Sequence, residues 1–200
     1  MKKEKVILTD CDGCLVNWNK AFDVFMTERG HPMLPNSETV YNLSDRHGIT
    51  QEQANEYLTE FNESDRIASL EMFADSKEIV TKLHDKGFKF VVVTSLSKHP
   101  SAHTYRTSNL AQIFGDVFDE IICIEINTSK YSTLRRWAGS GYFWIEDHMR
   151  QAEAGYEVGL KPILISHPYN SHYSTDLFPR VSHATPWTEI YKLIEQEYDL

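Results

Sequence analysis

The chain has 200 residues, 41% hydrophobic and 24% charged, which suits one α/β domain carrying an insert, or two small domains, with a core that needs no disulfide or structural metal. Its 20 basic and 29 acidic residues give a formal net charge of −9, which argues against a nucleic-acid polymer as partner, although a few local cations and a metal can still hold one small phosphorylated molecule. Three cysteines make no secreted disulfide framework, the apolar run at 6–8 is too short for a signal-peptide core, and no stretch approaches a membrane span, so a cytoplasmic location is expected.

In chain order, residues 6–8 read as a buried strand running into Asp10-Cys11-Asp12-Gly13. Trp18, Ala21, Phe22, Phe25 and Met26 then follow the i, i+3, i+4, i+7, i+8 stripe of an amphipathic helix. A Pro-, Asn- and Ser-rich stretch, 31–45, leads to a second helix marked by Ala54, Tyr57, Leu58 and Phe61. Ile79, Val80 and Leu83 place a helix over 75–86, with Gly87 as its stop. Apolar runs at 88–93, 121–124, 142–145 and 163–165 supply further strands. Around 105–114 the helical signal is weaker, carried by Leu110, Ile113 and Phe114. Residues 167–186, rich in Ser, His, Pro and Tyr, read as a long surface loop before a last helix with Trp187, Ile190, Tyr191 and Ile194.

Strands alternating with helices predict an α/β fold with a Rossmann-like parallel sheet core. The segment between the first strand and the next core helix is far longer than a βα connection needs. We therefore expect a small helical cap, 17–73, inserted after strand one, with 1–16 and 74–200 forming the core domain.

Four elements carry chemistry. Asp10 and Asp12 stand at the carboxyl end of the first strand, where open α/β sheets bind ligands. The second strand ends in Thr94-Ser95, whose hydroxyls and backbone N–H groups suit phosphate oxygens. Lys130 follows the third strand. The fourth strand ends in Glu146-Asp147, adjacent acids that are costly without a cation and suited to a hard divalent ion. Taken singly, each reads as well as an ordinary turn, loop start or solvated side chain.

The order and spacing of these elements, from about 6 to 165, resemble the haloacid dehalogenase superfamily of phosphatases. The resemblance implies a magnesium-dependent phosphomonoester hydrolase with Asp10 as nucleophile and Asp12 as general acid and base. It implies Mg2+ held by the Asp10 carboxylate, the Asp12 carbonyl and Asp147, with Thr94, Ser95 and Lys130 on the phosphate oxygens. Glu146 would orient Lys130 or a metal-bound water. The carboxylate at Asp12 favours phosphoryl transfer over halide displacement.

More narrowly, the chain resembles the 5'(3')-deoxyribonucleotidases. The shared pattern is Asp-x-Asp-Gly, Leu15, Trp18, Leu70-Glu71-Met72-Phe73, Thr94-Ser95 with Lys98, and Ile113-Phe114-Gly115. This implies a 5'-nucleotidase acting on a nucleoside monophosphate, with Trp18 stacking on the base and Lys98 near the phosphate. Equally, Trp18 lies on the apolar stripe with Phe22 and Phe25 and can be cap core, and Lys98 can simply face water. The pattern is broken in two places. No second aromatic cluster is evident near 46–49, and Ala74-Asp75 replaces the usual proline. A sugar-phosphate phosphatase or phosphomutase of the same superfamily is the alternative, and a catalytically silent nucleotide-binding or scaffold protein the second. A homodimer is compatible with the sequence and not specified by it. Cys11 and Cys14 form a C-x-x-C overlapping the double-Asp element, which disfavours redox chemistry. His148 beside Asp147 suits helix N-terminal packing better than a site role, and Gly139-Ser140-Gly141 reads as a tight turn.

Overall fold

The computed structural model describes residues 4–73, 75–174 and 176–198. Ala74, where the resembling family carries a proline, lies outside them. In chain order the elements are β1 (Val6–Thr9), α1 (Trp18–Glu28), α2 (Leu43–His47), α3 (Gln51–Asn62), α4 (Ser76–Asp85), β2 (Lys89–Ser95), α5 (Pro100–Phe114), β3 (Phe118–Ile124), α6 (Tyr131–Leu134), β4 (Phe143–Glu146), α7 (Met149–Glu157), β5 (Lys161–Ser166), β6 (Arg180–Ser182) and α8 (Pro186–Tyr198).

The strands form one six-stranded sheet in the order β3-β2-β1-β4-β5-β6, with every pairing parallel. A parallel sheet is covered by helices on both faces, so its central strands are apolar throughout. β1 meets that requirement: all four of its residues are buried. Ile7 joins one apolar cluster with Val92, Ile145, Ile163 and Trp187, while Val6 and Leu8 join another with Val91, Val93 and Trp144. The alternation is the period-two geometry of a strand buried on both sides.

β1 pairs with β2 on one side and β4 on the other, so the strand order reverses at β1. The crevice at the carboxyl ends of β1 and β4 is therefore the switch point where sheets of this kind bind ligands. The Asp10 backbone N–H donates to the Ile145 carbonyl (2.8 Å), which carries the β1–β4 pairing up to the first carboxylate of that crevice.

Between β1 and α4 the chain leaves the sheet and returns to the point of departure. Val16 bridges Met72 in antiparallel sense, Asn17 N–H donates to the Glu71 carbonyl (2.8 Å) and Phe73 N–H to that of Leu15 (3.1 Å). The intervening helices carry an aromatic cluster that is continuous with the core on one face of the sheet. Phe22 stacks on Trp18 at 4.6 Å between ring centres, and Phe61 meets Trp18, Phe22 and Phe25 edge-on at 5.1–5.4 Å.

The structure corrects the reading of two segments. Residues 167–186 hold the parallel edge strand β6 and a 3-10 turn, Pro168–Asn170, whose Tyr169 and Asn170 are buried. A three-residue strand and a polar turn have no apolar run to reveal them. Helix α5 starts five residues before the weak signal, and its buried stripe is Ala102, Arg106, Asn109, Leu110 and Phe114. Two polar residues on the inward face hid the helical period.

Candidate active site

At the carboxyl end of β1 the chain turns at once. Gly13, with φ +78°, and backbone hydrogen bonds from Cys14 and Leu15 to the Cys11 carbonyl close a tight loop. That loop places Asp10 and Asp12 in a cleft of about 700 Å³ between the sheet and the helices of the insert, within the size range of small-molecule sites. Asp10, Glu146 and Asp147 converge there, each offering one oxygen, with those oxygens all within 4.8 Å of one another. All three are buried.

Lys130 is the counter-charge. It sits 1% exposed, with Nζ 2.5 Å from Asp10 Oδ2 and 2.9 Å from Glu146 Oε2. Asp10 Oδ1 accepts from the Cys11 N–H (2.6 Å). Glu146 Oε1 accepts from the backbone N–H groups of Asp147 and His148, both at 3.0 Å. Three carboxylates around one ammonium leave excess negative charge in a buried place, which disfavours full ionisation. Burial first, and Glu146 after it, pushes the Asp10 carboxyl well above the usual range, against the pull of Lys130. Burial raises Glu146 to about 7, and burial with the Asp10 charge raises Asp147. Burial opposes charge on Lys130 too, but the flanking carboxylates outweigh it and hold the ammonium protonated.

The Asp12 side chain faces a different cation. Arg106, from α5 and fully buried, reaches both Asp12 oxygens (2.6 and 2.7 Å) and lies 3.1 Å from Cys11 Sγ. Burial still lifts the Asp12 carboxyl to about 6 against that attraction. The sequence reading missed Arg106. Its signal was an arginine on the same stripe as Leu110 and Phe114, where an unpaired charge cannot be buried.

The other residues singled out from sequence are placed as follows. Thr94 is fully buried at the end of β2, and its hydroxyl has no hydrogen-bond partner among the described residues. Ser95 lines the cleft. Trp18 also lines it, while stacking on Phe22 and donating from Nε1 to Asn62 Oδ1 (2.9 Å), so the indole serves the insert's own core as well. Lys98 is exposed on the turn before α5 and is not part of the cleft wall. No aromatic cluster was evident near 46–49, but the preceding loop puts Tyr41, 58% exposed, on the cleft wall against His148 and Tyr169. Cys11 and Cys14 are free, buried thiols that burial pushes up, so neither is primed as a nucleophile.

The segment after β5 has the composition of a surface loop, yet it reaches the cleft. The Tyr169 hydroxyl donates to Asp147 Oδ2, Asn170 Nδ2 to the Asp147 carbonyl (2.6 Å), and His167 Nε2 to the Gly13 carbonyl (2.8 Å). Its position just past a strand's carboxyl end was the available signal. No helix among the described residues is long and apolar enough to cross a membrane.

No family model matches the chain. It is 24% identical over 135 residues to an uncharacterized 32.4 kDa protein from the Gp30-rIII intergenic region of Enterobacteria phage T4, a match spanning 65% of this chain and 48% of that protein. Solved structures share its fold over nearly the whole length. A haloacid dehalogenase-like family hydrolase from Streptococcus pneumoniae is 15% identical with a TM-score of 0.67, covering 97% of this chain and 100% of its own. CbbY from Rhodobacter sphaeroides, in complex with phosphate, is 17% identical with a TM-score of 0.61, covering 90% and 95%. D,D-heptose 1,7-bisphosphate phosphatase from B. bronchiseptica, complexed with magnesium and phosphate, is 14% identical with a TM-score of 0.57, covering 96% and 99%. The chain therefore has the haloacid dehalogenase fold.

Two predictions follow from the site's charges. Replacing Arg106 by Met leaves the part-buried Asp12 carboxylate without its cation and should lower the unfolding free energy in urea by about 1 to 3 kcal/mol. Adding Asp12→Asn should recover part of that loss; equal losses in the single and double variants would exclude charge as its cause. The second concerns pH. Asp12 and Glu146, raised to about 6 and about 7, bind protons more tightly folded than unfolded, as do Asp10 and Asp147. Their contribution to stability is full below the unfolded carboxyl range and is lost as pH rises through about 6 to 7. Urea unfolding of chelator-treated protein between about pH 5 and 8 should show that fall, and Asp147→Asn should flatten it.

Proposed function

We propose that this chain is a magnesium-dependent phosphomonoester hydrolase that works through an aspartyl-phosphate on Asp10, with a nucleoside monophosphate as substrate. The observation that carries this reading is Asp10 itself. It is a buried carboxylate at the sheet's switch point, fixed by the Cys11 N–H and Lys130 and set beside two further acids. The magnesium- and phosphate-bound phosphatase of the same fold supports it.

The donor set fits a hard divalent cation, because three converging carboxylates around one ammonium leave buried negative charge and offer only oxygen ligands. Asp10, the Asp12 carbonyl and Asp147 would hold magnesium, which when bound offsets the repulsion between an anionic nucleophile and an anionic phosphate. The chain's own groups do the rest. An Asp10 oxygen attacks phosphorus as the ester P–O bond breaks, and the leaving alkoxide takes a proton from Asp12. Water then attacks the phosphorus, passing its proton to Asp12. The P–O bond to Asp10 breaks and inorganic phosphate leaves. For this exchange Asp12 turns one oxygen to the ester while Arg106 keeps the other. Lys130, held in place by Glu146, the unpartnered Thr94 hydroxyl and Ser95 stabilise the equatorial oxygens.

We take residues 17–73 as the cap that closes over the substrate, since both ends of that segment are pinned at one point beside the site. The base would rest against Trp18 or Tyr41. The same wall carries the amides Asn19, Asn42, Gln51, Asn55 and Asn127. Amides pair with sugar hydroxyls as readily as with base edges, so a sugar phosphate is the second reading.

Phosphate release from a generic aryl phosphate should require added magnesium and stop with EDTA. Asp10→Asn should abolish it without altering the circular dichroism spectrum; full turnover by that variant rules out covalent catalysis. A panel of mononucleotides and sugar phosphates then decides the substrate. With a nucleotide, Trp18→Ala should raise KM about 5- to 100-fold, the range expected for a lost base stack, and far more than for the aryl phosphate. An equal effect on both substrates would mean that Trp18 serves only the aromatic cluster of the cap.

A further inference from the structure

The turn Pro168–Asn170 and the preceding His167 take no part in the chemistry above, yet three of their side chains converge on it. His167 Nε2 donates to the Gly13 carbonyl (2.8 Å) and its own N–H to Asn170 Oδ1 (2.9 Å). Asn170 Nδ2 donates to the Asp147 carbonyl (2.6 Å) and the Ile165 carbonyl (2.8 Å). The rings of His167 and Tyr169 stack at 4.9 Å with an interplanar angle of 8°, and the Tyr169 hydroxyl donates to Asp147 Oδ2. That oxygen is also walled in by Gly13. A Cβ there would lie 2.5 Å from Asp147 Cγ and 3.0 Å from Tyr169 Oη, so only glycine leaves space for the pair.

Asp147 thus has one carboxylate oxygen committed to a buried hydroxyl and pressed against backbone, and one left to give. The difference matters for a metal. Magnesium takes near-octahedral, single-oxygen carboxylate ligands, whereas calcium takes more oxygens and accepts both from one carboxylate. We propose that Tyr169 is a positioning residue that sets metal selectivity. By holding Asp147 Oδ2 it restricts Asp147 to single-oxygen ligation, which suits magnesium and penalises calcium. This rests on the magnesium-site reading given under Proposed function.

The test is calorimetric titration of the full chain with MgCl2 and with CaCl2, in the wild type, Tyr169→Phe and Asp147→Asn. Tyr169→Phe keeps the ring stack and removes only the hydroxyl. It should tighten calcium relative to magnesium, shifting the ratio of the two dissociation constants by about fivefold or more. A parallel change in both affinities with an unchanged ratio would make Tyr169 a merely structural brace and overturn the inference, leaving the magnesium site standing. A wild type that binds magnesium no better than Asp147→Asn would overturn the site and the inference together. Should Tyr169→Phe fail to fold, the wild type still decides. Its infrared carboxylate bands with bound calcium, assigned by difference from Asp147→Asn, should show the single-oxygen signature, and a two-oxygen signature rejects the idea.

Discussion

The molecule is organised around excess negative charge held, largely buried, at the floor of one cleft. Asp10, Glu146 and Asp147 meet at the carboxyl ends of β1 and β4 with Lys130 as the ammonium among them. Desolvation of such a group costs several kcal/mol per ion unless hydrogen bonds and counter-charge offset it. Nearly every polar feature nearby is an answer to that cost. The Cys11 N–H takes one oxygen of Asp10, and the N–H groups of Asp147 and His148 take one of Glu146.

Two braces hold the paired loops in register. On one side α5 sends Arg106 under the loop that follows β1, where it grips Asp12 by both oxygens. On the other the turn after β5 ties the Gly13 carbonyl to Asp147 through His167, Tyr169 and Asn170. Burial pushes His167 down to about 4, so at neutral pH it is an uncharged donor and adds nothing to the field at the acids. Behind the loop, Trp187 of α8 donates from Nε1 to the Cys14 carbonyl (2.9 Å), so the last helix also supports the site. A site gripped from several elements loses little entropy when its ligand arrives, which favours tight geometry over adaptability.

The insert after β1 is attached differently. Its two ends are hydrogen-bonded to each other at Val16 and Met72, and between them it leans on the core through Phe22, Phe61 and Ile67 and through Asn62, whose Nδ2 donates to the Leu96 carbonyl (3.1 Å). Its inner face is aromatic and amide-rich where the sheet's loops are charged. The charged groups and the aromatic and amide groups thereby occupy separate parts of one cleft.

Much of this was legible in the chain. The apolar runs before Asp10 and Glu146 announced parallel strands, because a strand buried on both faces has to be apolar throughout. The rule that ligands bind at strand ends then pointed to the residues that follow. Asp10, Asp12, Lys130 and Asp147 were singled out by their order at successive strand ends together with the family resemblance, since each alone reads as an ordinary turn or loop residue. Arg106, Tyr169 and His167 were not, because their significance lies in partners roughly a hundred residues away for Arg106, and in two different loops for the turn after β5. A polar residue on a helix's inward face or in a Pro-rich turn looks solvated until the fold shows what it meets. Trp18 divides the same way: its stripe identified it as helical and apolar, but only packing showed one indole serving both Phe22 and the cleft wall. The sequence by itself determined the alternation of strands with helices and the acids at the strand ends, since burial imposes those locally. Which cation holds which acid was decided only by tertiary structure, because charges pair by distance in space and not by position along the chain.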